Sequence, residues 1–150
     1  METWMIWAVL GVIVLLLVVL YNRIVALVQR RKNAFSDIDV QLKLRHDLVP
    51  NLVSTVKGYA SHESGLFEKV TNARAAAMRG GGIADRAQAE GMLGAAMMNL
   101  MAVAENYPQL KADSNFLQLQ AELSDIENKI AAARRFFNNA TSEYLSLIHI

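Results

Sequence analysis

The sequence predicts an all-α protein in which a single N-terminal transmembrane helix continues into an antiparallel four-helix, up-and-down bundle, with three long helices as the alternative. Three observations carry this. Trp4 to Leu20 runs without a charged residue, apolar residues after it recur at spacings of three and four, and period-two alternation bounded by turn residues is missing. Of the 150 residues 53% are hydrophobic, and the excess sits at the N-terminal end.

Between Glu2 and Arg23 lie 20 uncharged positions. At ~1.5 Å per residue they make a helix about 30 Å long, the thickness of a bilayer's hydrocarbon core. Trp4 and Trp7 at one end, and Leu20 and Tyr21 at the other, bound the expected span, with the aromatic rings where headgroups would lie. A cleaved signal peptide fits poorly. The start carries no Lys or Arg, the apolar run is too long, and Leu20-Tyr21-Asn22 has no small-residue cleavage pattern. Arg23, Arg30, Arg31 and Lys32 follow the span and act as topology determinants. They predict an N-terminus outside and a cytoplasmic domain. Residues 1–22 are thus the short external N-terminus and anchor, 23–144 the helical bundle, and 145–150 a truncated or atypical C-terminus.

Ile24, Val28, Phe35, Ile38, Leu42 and Val49 extend the membrane helix. A second series, Leu52, Val56, Tyr59, Leu66, Val70, Ala73 and Ala77, runs to Gly80-Gly81-Gly82, where three glycines end it. A third helix is expected from Ala84 or Asp85, through Leu93 and Leu100, to Tyr107-Pro108. The fourth carries Phe116 to Leu147 in unbroken three-four spacing after an Asp113 or Ser114 N-cap. Pro50 is the ambiguous point. A break there gives four helices, which the short connections favour; a turn near Ser61 to Gly65 gives three longer ones.

The stretches Lys32-Asn33-Ala34-Phe35-Ser36-Asp37-Ile38-Asp39, Asp47-Leu48-Val49-Pro50-Asn51-Leu52 and Ala104-Glu105-Asn106-Tyr107-Pro108-Gln109-Leu110-Lys111 resemble the LemA family. So does Glu127-Asn128-Lys129-Ile130 leading into Ala133-Arg134-Arg135-Phe136-Phe137-Asn138. The resemblance implies a bacterial, membrane-anchored helical bundle without assigned catalytic residues, occurring beside membrane peptidase or stress-related partners. The chain departs from the family pattern after Tyr144, at Leu145-Ser146-Leu147-Ile148-His149-Ile150, which suggests a truncated tail with foreign residues.

Net charge is +1 and there is no cysteine, so neither a nucleic-acid footprint nor a disulfide or thiolate site is present. His46 and His62 lie on different stretches, without the spacing that holds a metal on one helix face. His62-Glu63 and the pair Asp37 and Asp39 do not share a face, and Gly80-Gly81-Gly82 lacks the flanks of a phosphate loop. No cofactor, metal or enzymatic activity is expected. Two polar or adaptable features stand out instead. Arg45 falls within the first apolar series and predicts a polar core layer with Asp39, Asn72 and Arg134. Met97, Met98 and Met101 crowd the third helix and offer a partner face, because thioethers suit adaptable surfaces. The expected function is a non-catalytic interaction or scaffold protein, self-associating or bound to a membrane protein; the alternative is an accessory subunit of a membrane enzyme such as a peptidase.

Overall fold

A computed structural model describes residues 3–149. Met1, Glu2 and Ile150 lie outside the described residues, and with them the outermost part of the expected external N-terminus. Among the described residues five helices follow in order: α1 (Thr3–Lys57), α2 (Ser64–Met78), α3 (Ile83–Ala104), the single turn α4 (Pro108–Lys111) and α5 (Ser114–Ile148). No strand occurs among the described residues. The chain divides into two compact units. One holds residues up to Asp39 together with those from Ile130 onward, and the other holds Val40–Lys129.

In the first unit, the apolar stretch of α1 is long enough to cross a membrane and buries none of its residues. Trp7 is 73% exposed, as no core side chain of a water-soluble helix would be. Further along α1 the pattern changes, because Leu27 and Ala34 are buried, as are Ile130 and Ala140 of α5. Phe35 meets Phe137 with ring centroids 6.0 Å apart, within the range of attractive aromatic pairs. The Arg31 guanidinium lies 5.1 Å from the centroid of the Tyr144 ring, a cation–π contact.

In the second unit, the three-four spacing becomes one buried seam per helix. Val49, Leu52 and Val56 of α1, Val70 of α2, and Leu93 and Leu100 of α3 are essentially inaccessible. Each such side chain stabilises the fold by roughly 1.5–3 kcal/mol relative to exposure. The connections are built from local chemistry. Gly80 (φ 73°) and Gly81 (φ 130°) take backbone conformations that L side chains resist, which stops α2. Tyr107 is extended (φ −116°, ψ 91°) because Pro108 follows, and Pro108 opens α4, where its missing N–H costs nothing. Asp113 caps α5 by accepting the Phe116 N–H at 3.0 Å.

The helix break expected at Pro50 does not occur. Helix α1 passes through it, and the chain turns at residues 58–63 instead. Proline has no N–H for the carbonyl four residues back, which is that of His46. Arg74 of α2 supplies the missing donor: its Nε donates to the His46 oxygen at 2.7 Å. The helix therefore tolerates the proline because a second helix completes its hydrogen bonding.

Candidate functional site

Arg45 and His46 stand one turn before Pro50, on the last turns of α1, and gather side chains from two further helices. Arg45 is 3% exposed. One terminal nitrogen, Nη2, donates to the Glu90 carboxylate and, at 3.1 Å, to the Glu90 carbonyl. The other, Nη1, donates to Glu127 Oε1 at 2.8 Å. His46 Nε2 donates to the second Glu90 oxygen at 2.5 Å. Glu90 is itself 3% exposed and so has no water to solvate its charge. Burial pulls the Arg45 pKa down, but the hydrogen bonds to Glu127 and Glu90 outweigh it and hold the value above that of a free guanidinium. Only Arg45 Nε is buried without an acceptor within that guanidinium. The cluster ties α1, α3 and α5 at one level of the unit, while Arg74 adds α2.

The polar layer expected from sequence is corrected in its membership. Asn72 and Arg134 are exposed and Asp39 is half-buried, so of the four only Arg45 is in a core. Of the partners that matter, Glu90, Glu127 and Arg74 were not singled out, and His46 was weighed only as a metal ligand. One of them had a signal. Glu90 lies three before Leu93, in phase with Met97 and Leu100, so the buried seam of α3 begins one step earlier than its first buried apolar residue. Glu127, beside the buried Ile126, had none. In chemical terms the cluster places a guanidinium where the carboxylates would otherwise receive a cation. Among the described residues no three potential metal ligands meet.

Next to this cluster is a groove lined by Gly94, Met97, Met98 and Met101 of α3 and by Leu123 of α5, with Glu105 and Glu127 at its edge. The three methionines are not equivalent. Met97 is 3% exposed and forms the floor, Met101 is half-buried, and Met98 is 74% exposed at the rim. Glu127 thus faces the groove on one side and holds Arg45 on the other.

Of the remaining singled-out residues, Trp4, Trp7, Leu20 and Tyr21 are all exposed, as are Arg23, Arg30 and Lys32. His62 is exposed in the turn after α1. In the same turn, the Tyr59 hydroxyl donates to Asp113 Oδ2 at 2.6 Å. This bond raises the Tyr59 pKa and, together with the Phe116 N–H, lowers that of Asp113.

The stretches that bring Arg45, Pro50, Glu90 and Glu127 together fall inside a match to the LemA family over residues 34–149. The chain belongs to the LemA family. It is also similar to the magnetosome protein MamQ of Magnetospirillum gryphiswaldense, with 25% identity over 150 aligned positions covering 83% of this chain and 55% of that protein. The magnetosome proteins MamQ 1 and MamQ 2 of Paramagnetospirillum magneticum match at the same identity and coverage. This LemA-family chain therefore spans a little over half the length of the curated relatives it matches.

Proposed function

We propose that this LemA-family protein is a single-pass, membrane-anchored helical bundle that acts as a non-catalytic interaction or scaffold protein. The observation that carries the reading is the contrast along α1. Its first stretch is apolar on every face and wholly exposed, while its last turns are packed and paired with α2, α3 and α5. An apolar surface of that length is stable in lipid and not in water. The antiparallel, up-and-down order of the helices follows from their short connections. The basic residues after the span orient it, leaving the N-terminus outside and the bundle in the cytoplasm of a bacterial cell.

The buried charges support a structural role, since Arg45, His46 and Glu90 are engaged with one another. The methionine groove supports a partner-binding role, as the exposed Met98 thioether at its rim shares it with a half-exposed carboxylate, that of Glu127. A second copy of the chain is the first occupant to consider, because confinement to a membrane raises effective concentration. An accessory subunit of a membrane enzyme would use the same groove. Crosslinking in native membranes, read by mass spectrometry, separates the two by the mass of the product. For the anchor, carbonate extraction should leave the protein in the membrane. A reporter active only in the cytoplasm, fused after Lys57, should be active; activity of an export-requiring reporter there would reverse the orientation.

A further inference from the structure

Arg23, Leu27 and Arg30 of α1 line one side of a pocket whose other side carries Glu143 and Leu147 of α5. The three α1 residues follow one another at i, i+4 and i+7, and so share a helix face. Among the described residues neither Arg23 nor Arg30 makes an ion pair, whereas Arg31 is used on Tyr144 and Arg45 is used in the buried cluster. Two guanidiniums that make no ion pair thus line a single pocket. Their planar donor forks suit phosphate oxygens, two at a time.

Position along α1 selects the source of the phosphate. Arg23 is the first charged residue after the apolar run, about 4.5 Å beyond Leu20 along the helix axis. Arg30 begins about 15 Å beyond it. Side chains on a helix lean toward its N-terminus, which here is the direction of the apolar stretch, so the long Arg30 side chain reaches back. Both guanidiniums therefore serve the layer in which phospholipid headgroups lie, provided the apolar stretch spans the bilayer as proposed above. Leu27, 5% exposed, and Leu147 give the pocket an apolar lining that a free phosphate cannot use and the first methylenes of a lipid's acyl chains can. Glu143 adds one carboxylate against two cations, which leaves the pocket positive and offers an acceptor for headgroup hydroxyls.

We propose that this pocket is a binding site for the phosphodiester of an anionic, hydroxyl-bearing phospholipid, of which phosphatidylglycerol is the simplest. The test uses the full chain reconstituted into nanodiscs of equal parts phosphatidylcholine and phosphatidylglycerol, with retained lipids counted by native mass spectrometry. Wild type should retain phosphatidylglycerol over phosphatidylcholine. The double variant Arg23→Gln/Arg30→Gln should lose that preference by roughly thirtyfold, at roughly fivefold per basic residue at a membrane surface. Arg31→Gln/Lys32→Gln removes the same charge outside the pocket and should keep the preference. Equal loss in both variants would mean diffuse attraction without a site, and no loss in the first would end the proposal. Displacement of phosphatidylglycerol by millimolar inorganic phosphate would assign the pocket to the free anion and overturn it as well. Flotation on pure phosphatidylcholine vesicles separates this idea from the one beneath it. A chain that fails to incorporate there refutes the span and the site together, while one that incorporates but shows no preference refutes the site alone.

Discussion

Replacing Arg74 by alanine removes the donor that holds the His46 carbonyl, at 2.7 Å, in the one place where α1 cannot supply its own. The carbonyl is partly buried, so leaving it without a partner costs about 1–3 kcal/mol. For a unit of this size that corresponds to a fall in melting temperature of roughly 4–8 °C per kcal/mol. The cause is isolated by the Pro50→Ala background. Alanine restores the N–H of residue 50 to its place opposite the His46 oxygen and removes a proline that costs a helix interior about 3 kcal/mol. In that background Arg74→Ala should be cheap, because the carbonyl keeps an intrahelical donor. Four proteins (wild type, Arg74→Ala, Pro50→Ala and the double variant) unfolded by heat in detergent and followed by circular dichroism complete the cycle. A coupling of about 1–2 kcal/mol is expected, typical of residues sharing a hydrogen-bonded partner. Equal cost of Arg74→Ala in both backgrounds would refute the reasoning and assign the arginine's effect to some other contact.

Arg45→Ala leaves Glu90 buried without its cation and should destabilise by about 3–5 kcal/mol, whereas Arg134→Ala and Asn72→Ala, both exposed, should stay within about 0.5 kcal/mol; chemical denaturation of the three variants compares them. Met98→Glu, at a position 74% exposed, should preserve helicity and abolish a higher-mass species in light scattering, while Met97→Glu should unfold the unit because its side chain is only 3% exposed. A monodisperse monomer of the wild type over a wide concentration range would shift the groove to a different partner. The Tyr59 to Asp113 bond lowers the folded-state pKa of the carboxyl and raises that of the phenol. Its stability is therefore fully present between the unfolded-state values of the two groups, near pH 4 and pH 10. It is lost as pH falls through the lowered Asp113 value or rises through the raised Tyr59 value. The stability difference between wild type and Tyr59→Phe, measured against pH, should be flat in that window and shrink at both ends.

Helix content, the apolar run, the end of α2 and the starts of α3 and α5 were legible in the sequence because their causes are local. Spacings of three and four report a helix face, Gly80 and Gly81 meet the backbone geometry of a stop, and Asp113 caps a helix whose N–H groups lie three residues away. The exposed apolar stretch of α1 was equally readable, since length and composition alone decide whether a helix matches a bilayer.

The course of α1 through Pro50 and the makeup of the charged core were decided only by tertiary structure. The donor that rescues the proline, Arg74, is 28 positions from His46, and the carboxylates on Arg45 are 45 and 82 positions away. Phase along one helix shows that Arg45 points inward, but nothing in that phase says which distant carboxylate shares its level. A buried guanidinium needs several acceptors at once. Whether Glu90 and Glu127, or Asp39 and Asn72, supply them depends on how far each helix has advanced along its neighbour when the apolar seams close, a distance set by packing across the core rather than by residue order.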